Sequence, residues 1–251
     1  MTRYLYNICF LFIIGCFLTA CSQPVYYVTR PVSNPTYEQV VVSTPVKVNE
    51  PVKTPVKRKA KALIVVDAGH GGKDLGAESD ATPKYQEKIL TLSTARMLKT
   101  YLEQLGHTVI MTRDSDVFIA LDDRADFANK RKPAAFVSVH FNTAPNKEAE
   151  GIEVFYYRSD TDKIRSATSK ILAQDVLKRS LEQTQAKSRG VKHGNLAVIR
   201  ETKMPAILIE GGFLTHATEV QKLKNANYLK QLAWGIAQGV DDFVADEDDE
   251  S

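Results

Sequence analysis

The feature that most constrains the fold is an alternation of short apolar runs with amphipathic stretches between residues 62 and 244. The apolar runs are rich in Val, Ile and Ala, which is typical of buried strands, and they cover 62–66, 107–112, 134–140, 151–157 and 205–210. The stretches between them place apolar residues at near-helical spacing over 87–105, 121–130, 162–183 and 218–244. This alternation predicts a single α/β domain with a mostly parallel, twisted sheet and helices on both faces.

The first 21 residues carry an export signal. An apolar run from Tyr4 to Phe17 follows Arg3, and residues 18–21 read Leu-Thr-Ala-Cys. A short apolar run closed by small residues is typical of a secretory signal and is too short to span a bilayer. The ending resembles the lipobox of bacterial lipoproteins, which implies a signal peptide over 1–20 and a membrane anchor on lipidated Cys21. An ordinary signal peptide with an incidental cysteine is the alternative.

Residues 21–61 differ in composition from the rest of the chain. Six of the ten prolines lie here and glycine is absent, which predicts an extended tether rather than a helix or central strand. At about 3 Å per residue the tether could reach on the order of 100 Å. The catalytic domain is expected over 62–245, followed by a disordered acidic tail over 246–251. The net charge of +3 and the absence of basic–aromatic motifs argue against a nucleic-acid partner.

Polar residues end several of the predicted strands. His70 follows the first strand, His140 ends the third and Glu210 ends the fifth. In open α/β sheets functional groups gather at the carboxyl ends of strands, so these side chains are candidates for one shared site. Glu87 begins the helix after the first strand and can return to the same edge.

Two imidazoles and a carboxylate form a ligand set seen in catalytic zinc sites, where a fourth position is left for water. His70, Glu87 and His140 are therefore candidate metal ligands, and Glu210 is the candidate for proton transfer. Each also has a structural alternative, such as a loop hydrogen bond for the histidines or a helix-dipole contact for Glu87. No HExxH motif fixes two ligands on one helix, so spacing alone leaves both interpretations open. GxGxxG, GxxxxGK[ST] and GxSxG motifs are also absent from the sequence.

Seven ordered blocks resemble the zinc-dependent N-acetylmuramoyl-L-alanine amidases. They cover about 63–243 and lie at 66–77 (VDAGHGGKDLGA), 87–88 (EK), 112–114 (TRD), 121–129 (LDDRADFAN), 138–142 (SVHFN), 151–155 (GIEVF) and 204–210 (MPAILIE). The order of the blocks makes the resemblance more specific than any one of them.

The resemblance implies that His70, Glu87 and His140 bind Zn²⁺ and that Glu210 is the catalytic glutamate. It also implies that Asn142 and Arg200 contact the substrate. One departure is His216, which stands where family members often have Asn. Some relatives carry an inserted autoinhibitory helix before the catalytic glutamate. Here residues 158–198 are expected to hold one helix and a loop, so we expect an enzyme without that device.

The resulting hypothesis is a peptidoglycan hydrolase that cleaves the amide between N-acetylmuramic acid and the L-alanine of the stem peptide during wall remodelling or cell division. We expect it to be periplasmic and lipid-anchored at the outer membrane, because Ser22 after the cysteine resembles outer-membrane sorting. Two alternatives stay open. One is a zinc peptidase or carboxypeptidase that cuts within the stem peptide, and the other is a non-catalytic wall-binding lipoprotein.

Overall fold

The computed structural model describes residues 62–249, and the side chains of 62–246. The predicted signal peptide, Cys21 anchor and tether lie outside the described residues. Within this range the strands are β1 (Leu63–Ala68), β2 (Thr108–Met111), β3 (Ala135–Asn142), β4 (Ile152–Tyr156), β5 (Ser188–His193) and β6 (Ala206–Phe213). The helices are α1 (Glu87–Gln104), α2 (Leu121–Arg131), α3 (Lys163–Thr184), α4 (Ala197–Arg200), α5 (Ala217–Leu223) and α6 (Ala226–Asp249).

The six strands form one sheet in the order β2-β1-β3-β6-β4-β5. Strands β2, β1, β3 and β6 pair in parallel, β4 is antiparallel to β6, and β5 is parallel to β4. Both sheet faces are covered. Helices α1 and α3 pack on one face with α6 against both, and α2 and α4 lie on the other. The predicted α/β domain with a mostly parallel sheet is confirmed.

Side-chain alternation along the strands explains why one sheet supports two apolar layers. In β1, Val66 points to the α1–α6 layer, while Val65 points to the smaller layer under α2 and α4. Phe136 and Leu208 join Val65 in that smaller layer. Full burial of each such side chain contributes about 1.5–3 kcal/mol. The smaller layer ends where polar residues replace apolar ones toward the carboxyl ends of β1, β3 and β6, and the site lies there.

The structure corrects several predicted boundaries. Between β4 and β6 the chain forms β5 and α4 in addition to α3. The sequence pattern did not predict β5 (Ser-Arg-Gly-Val-Lys-His), because its residues are too polar for the pattern of a buried strand. The last helical stretch divides into α5 and α6, and α6 continues to Asp249 because no Gly or Pro follows Val244. Strands β3 and β6 run past His140 and Glu210, since pairing resumes at Asn142 and Phe213 after an irregularity. No helix within 62–249 is long and apolar enough to cross a membrane.

Candidate metal centre and active site

Three potential metal ligands meet above β1 and β3. His70 lies in the loop after β1, His140 lies near the end of β3, and Glu87 is the first residue of α1. The Nε2 atom of His70 is 3.0 Å from Oε2 of Glu87, and Nδ1 of His140 is 3.0 Å from Oε1 of Glu87. One ligand atom from each residue lies within 4.8 Å of the others. The three side chains are thus grouped closely enough to hold one metal ion, as the sequence predicts.

Hydrogen bonds orient two of these ligands. Nδ1 of His70 donates to Oδ2 of Asp74 at 2.9 Å, which leaves Nε2 turned toward Glu87. Glu87 accepts backbone N–H bonds from Ala77 at 2.8 Å and from Phe141 at 3.0 Å, one to each carboxylate oxygen. A carboxylate behind a histidine ligand is a common arrangement in metal sites because it fixes the ring and its tautomer.

Two glycines allow the backbone to approach the ligands. A Cβ atom on Gly69 would lie 2.3 Å from the His140 ring, and one on Gly76 would lie 2.6 Å from Oε2 of Glu87. Gly76 also has φ +65°, a conformation that favours glycine. Larger residues at these positions would displace the ligands themselves.

Buried arginines hold the loop that carries His70. His70 has φ +60°, which is uncommon for a residue with a side chain, and its carbonyl oxygen accepts from Nη2 of Arg124 at 2.7 Å. Nη1 of Arg124 donates to Asp67 at 2.8 Å, and Nη2 of Arg113 donates to the carbonyl of Gly69 at 2.7 Å. The sequence indicates these residues only as parts of family blocks. Asp67 inside an apolar strand is the signal that a buried partner exists.

The ligands influence each other's protonation. Burial alone would raise the pKa of Glu87, but hydrogen bonds and charge from His140 and His70 hold it well below its usual range. Burial opposes the charged form of His70, yet Glu87 and Asp74 raise its pKa above the ordinary value. In the metal-free group a proton on His70 is thus stabilised by Glu87, and a metal ion that binds here would displace that proton.

Glu210 lies beside this group on the same sheet face. Its Cα pairs with that of His140 in β3 and with that of Glu153 in β4. Its Oε2 atom is buried and has no hydrogen-bond partner among the described residues. Burial, followed by the negative charges of Glu87 and Glu153, raises the pKa of Glu210 well above its ordinary value. A buried carboxyl group with a free oxygen and a raised pKa is suited to proton transfer.

A cavity of about 430 Å³ contains both the ligand group and Glu210. The polar groups already described line part of it. An apolar wall comes from α2, from α4 with its N-cap and from β6; it consists of Leu121, Leu196, Ala197, Val198 and Leu208. A substrate in this cavity would contact both the metal ligands and an apolar surface that limits the access of water.

The family model for N-acetylmuramoyl-L-alanine amidases matches residues 64–242. The chain belongs to this family. It is 34% identical over 183 residues to the endolysin of Bacillus phage SPP1, a match that covers 72% of this chain and 66% of that protein's length. The chain thus spans slightly less than two thirds of this relative.

Solved structures of family members share the fold. The N-acetylmuramoyl-L-alanine amidase from Clostridium difficile 630 matches with TM-score 0.68 and 40% identity, over 75% of this chain and 98% of that one. The catalytic domain of CwlV from Bacillus (Paenibacillus) polymyxa var. colistinus matches with TM-score 0.67 and 35% identity, over 73% and 98% of the two chains.

The remaining residues singled out from the sequence, Asn142, Arg200 and His216, do not all lie at the cavity. Asn142 lines the cavity, and its side-chain amide donates to Oε1 of Glu153 at 2.7 Å. Arg200 does not line the cavity; it pairs with Glu201 and Asn195 at the end of α4. His216 is the N-cap of α5, where Nδ1 accepts from the backbone N–H of Glu219 at 3.2 Å. Asn is also a favoured N-cap residue, so this amidase-family chain can use His at that position without changing the ligand group.

Proposed function

We propose that this chain is a zinc-dependent N-acetylmuramoyl-L-alanine amidase of the cell envelope. It would cleave the amide between N-acetylmuramic acid and the L-alanine of the stem peptide during wall remodelling or cell division. The observation that carries the proposal is that a buried oxygen of Glu210, which has no hydrogen-bond partner among the described residues, lies in one cavity with a His/Glu/His group.

The donor chemistry of the site fits zinc. Two imidazole nitrogens and one carboxylate oxygen are ligands that zinc accepts, and three protein ligands leave one position open in a tetrahedral arrangement. His70, Glu87 and His140 would hold the ion. When bound, zinc supplies Lewis acidity, which polarises a carbonyl oxygen and makes water nucleophilic near neutral pH.

Glu210 would move the proton in this reaction. Its unpartnered Oε2 can accept a proton from water as the water attacks the amide carbon, and can then donate that proton to the nitrogen of the departing alanine. The first step needs the carboxylate form of Glu210, and the raised pKa seen in the metal-free protein favours the second step, in which the carboxyl group gives up its proton. The apolar wall would orient the substrate and exclude bulk water from the proton path.

The location of the enzyme is part of the proposal. A lipid anchor on Cys21 and the tether over 21–61 would hold a periplasmic enzyme at the outer membrane while allowing it to reach peptidoglycan. Wild-type protein should then incorporate a labelled fatty acid and be recovered in the membrane fraction, and Cys21→Ala should lose the label. Wild-type protein that takes up no label contradicts the anchor.

Digestion of purified peptidoglycan tests the activity. The purified protein, with no partner added, should release intact stem peptides from glycan, and a chelator should abolish the release until Zn²⁺ is restored. Mass spectrometry separates the alternatives, since a stem-peptide peptidase leaves trimmed peptides on the glycan. Binding to peptidoglycan with no release at all would favour the non-catalytic wall protein.

A further inference from the structure

Glu153, a second buried carboxylate next to Glu210, is paired with two positively charged side chains. Glu153 is 4% exposed and accepts from Nε of Arg189 at 2.9 Å. The ammonium group of Lys192 also pairs with the same oxygen of Glu153. One cation is enough to neutralise a single carboxylate, so this cluster of three side chains carries a net charge of +1.

The cluster is continuous with the cavity. Glu153 lies directly across from Glu210 in the β4–β6 pair, so the two side chains share a sheet face. Asn142, which lines the cavity, donates to the other oxygen of Glu153. The polar surface therefore extends from the metal ligands across β6 and β4 to the two cations on β5.

Both cations are accessible to a ligand. The side chains of Arg189 and Lys192 are 33% and 40% exposed, whereas that of Glu153 is 5% exposed. The guanidinium of Arg189 lies 4.7 Å above the centre of the Phe213 ring, which fixes the plane of its donors. Between the two cations, a Cβ atom on Gly190 would meet nothing within 4 Å beyond its chain neighbours, so the space beside the strand is open.

We propose that Arg189 and Lys192 form a subsite that binds a carboxylate on the peptide part of the substrate. The inference rests on the proposed amidase function, because it assumes that the scissile amide lies at Glu210. Two strand spacings of about 4.8 Å separate the backbone of Glu210 from β5. An extended peptide covers about 3.3–3.6 Å per residue, so the second or third residue after the scissile bond would reach the cations.

The apolar wall of the cavity and the cations on β5 would contact different parts of the substrate. The apolar side chains of α2 and α4 carry no charge, and Arg124 of α2, which also lines the cavity, is already paired with Asp67. The β5 side offers a planar guanidinium and an ammonium group that share a single carboxylate. Arginine is well suited to bind a carboxylate through two parallel hydrogen bonds. The peptide is thus expected to leave the scissile site across β4 toward β5.

Matched substrates test this subsite. The probes are N-acetylmuramoyl-L-alanyl-D-glutamate and its analogue in which both glutamate carboxylates are carboxamides. The wild-type zinc-loaded protein should have a higher kcat/KM for the acid than for the amide. In Arg189→Gln and in Lys192→Gln that preference should fall about tenfold, mainly through KM, while Lys192→Arg should retain it.

Control variants separate a local effect from a change in total charge. Arg179→Gln removes an arginine that is 32% exposed and pairs with Glu182 of α3 and Asp242 of α6. Lys99→Gln removes a lysine that is 36% exposed in an ion pair on α1. Neither residue lies near the cavity, so both variants should keep the wild-type preference. Thermal unfolding of every variant identifies any that fail to fold; if Arg189→Gln fails, Lys192→Gln and Arg189→Lys carry the comparison.

A binding measurement without metal gives a second readout. Calorimetry with L-alanyl-D-glutamate and its diamide should show that metal-free wild-type protein prefers the dipeptide with free carboxylates, and that Lys192→Gln loses this preference. The subsite is wrong if wild-type protein cleaves both substrates but prefers neither the acid nor the amide in either assay. It is also wrong if Arg189→Gln and Lys192→Gln retain the wild-type preference for the acid. If wild-type protein cleaves neither these substrates nor purified peptidoglycan, the amidase proposal itself fails. If it cleaves peptidoglycan alone, the calorimetry decides the subsite.

Discussion

Two buried carboxylates on one sheet face, Asp67 in β1 and Glu210 in β6, differ in how they are partnered. Asp67 is fully buried and accepts from Thr112 at 2.6 Å, from Arg124 at 2.8 Å and from Ser138 at 2.7 Å. Glu210 is also largely enclosed, but its Oε2 accepts from no described residue. Burial opposes ionisation of both, yet the charge of Arg124 and the hydroxyl donors lower the pKa of Asp67, while burial and two nearby carboxylates raise that of Glu210.

The difference in hydrogen bonding indicates different roles for the two carboxylates: Asp67 stabilises the site, and Glu210 is available for the reaction. Asp67 fixes Arg124, which in turn holds the carbonyl of His70, so its hydrogen-bonding capacity is used to support the loop. Glu210 keeps an oxygen available for a substrate or water. Variants of the two residues should therefore fail in different assays: Glu210 in catalysis and Asp67 in stability.

The largest effect is expected for Glu210→Gln. Glutamine keeps the shape of the side chain but cannot accept and return a proton, so kcat should fall about 10²–10⁴-fold. Zinc content, measured by mass spectrometry of the bound metal, should stay at the wild-type level because Glu210 is not in the ligand group. Activity within threefold of wild type would show that another group moves the proton.

Asp67→Asn should instead lower the free energy of unfolding, by about 3–5 kcal/mol, because it leaves the buried charge of Arg124 without its counterion. Urea unfolding measures the change. Glu182→Gln is the control, since it removes a carboxylate from an exposed pair with Arg179 and should change stability by less than about 1 kcal/mol. Equal effects of the two substitutions would contradict the structural role of Asp67.

The sequence predicted one half of this comparison better than the other. His70, His140 and Glu210 lie near the carboxyl ends of β1, β3 and β6, which parallel strands bring together at one edge of the sheet. Glu87 begins the helix that follows β1 and returns to the same edge. The residues that support them could not be found in this way. The pairing of Asp67 with Arg124 joins residues 57 positions apart, and no local pattern specifies it.

The β5 region was missed for a related reason. Hydrophobic periodicity detects elements that bury one apolar side, whereas β5 lies at the sheet edge and carries Arg189, Gly190 and Lys192 among its six residues. The sequence also does not show that Oε2 of Glu210 has no hydrogen-bond partner among residues 62–249, because this depends on which groups the fold places beside that oxygen.

Asp74→Asn tests whether support of a ligand can be separated from catalysis. Loss of the carboxylate behind His70 should weaken zinc affinity about 10–100-fold, because the ring loses its fixed tautomer and orientation. Competition with a chromophoric chelator measures the affinity. Asp80→Asn removes an exposed carboxylate paired with Lys147 and should leave zinc affinity unchanged. If saturating zinc does not restore activity in Asp74→Asn, Asp74 has a role beyond holding His70.

The smallest expected effect concerns the pH dependence of stability in the metal-free protein. The folded state keeps the proton of Glu210 to higher pH than the unfolded state, whose glutamates titrate near 4.5. The free energy of unfolding therefore falls as pH rises above 4.5, until pH passes the pKa of folded Glu210. Glu210→Gln removes this loss and should be more stable than wild type at pH 7, with little difference at pH 4.

Asp67 provides the opposite slope in the same experiment. Its pKa is lowered on folding, so its stabilising contribution is present above pH 3.8 and is lost as pH falls through the lower folded value. Urea unfolding in the presence of chelator, at intervals from pH 3 to pH 8, should show Glu210→Gln diverging from wild type on the alkaline side. The deficit of Asp67→Asn should shrink only on the acid side. If the free energy of unfolding of Glu210→Gln runs parallel to that of wild type across this pH range, Glu210 has a polar partner in solution. Asp67 and Glu210 would then differ only in depth of burial.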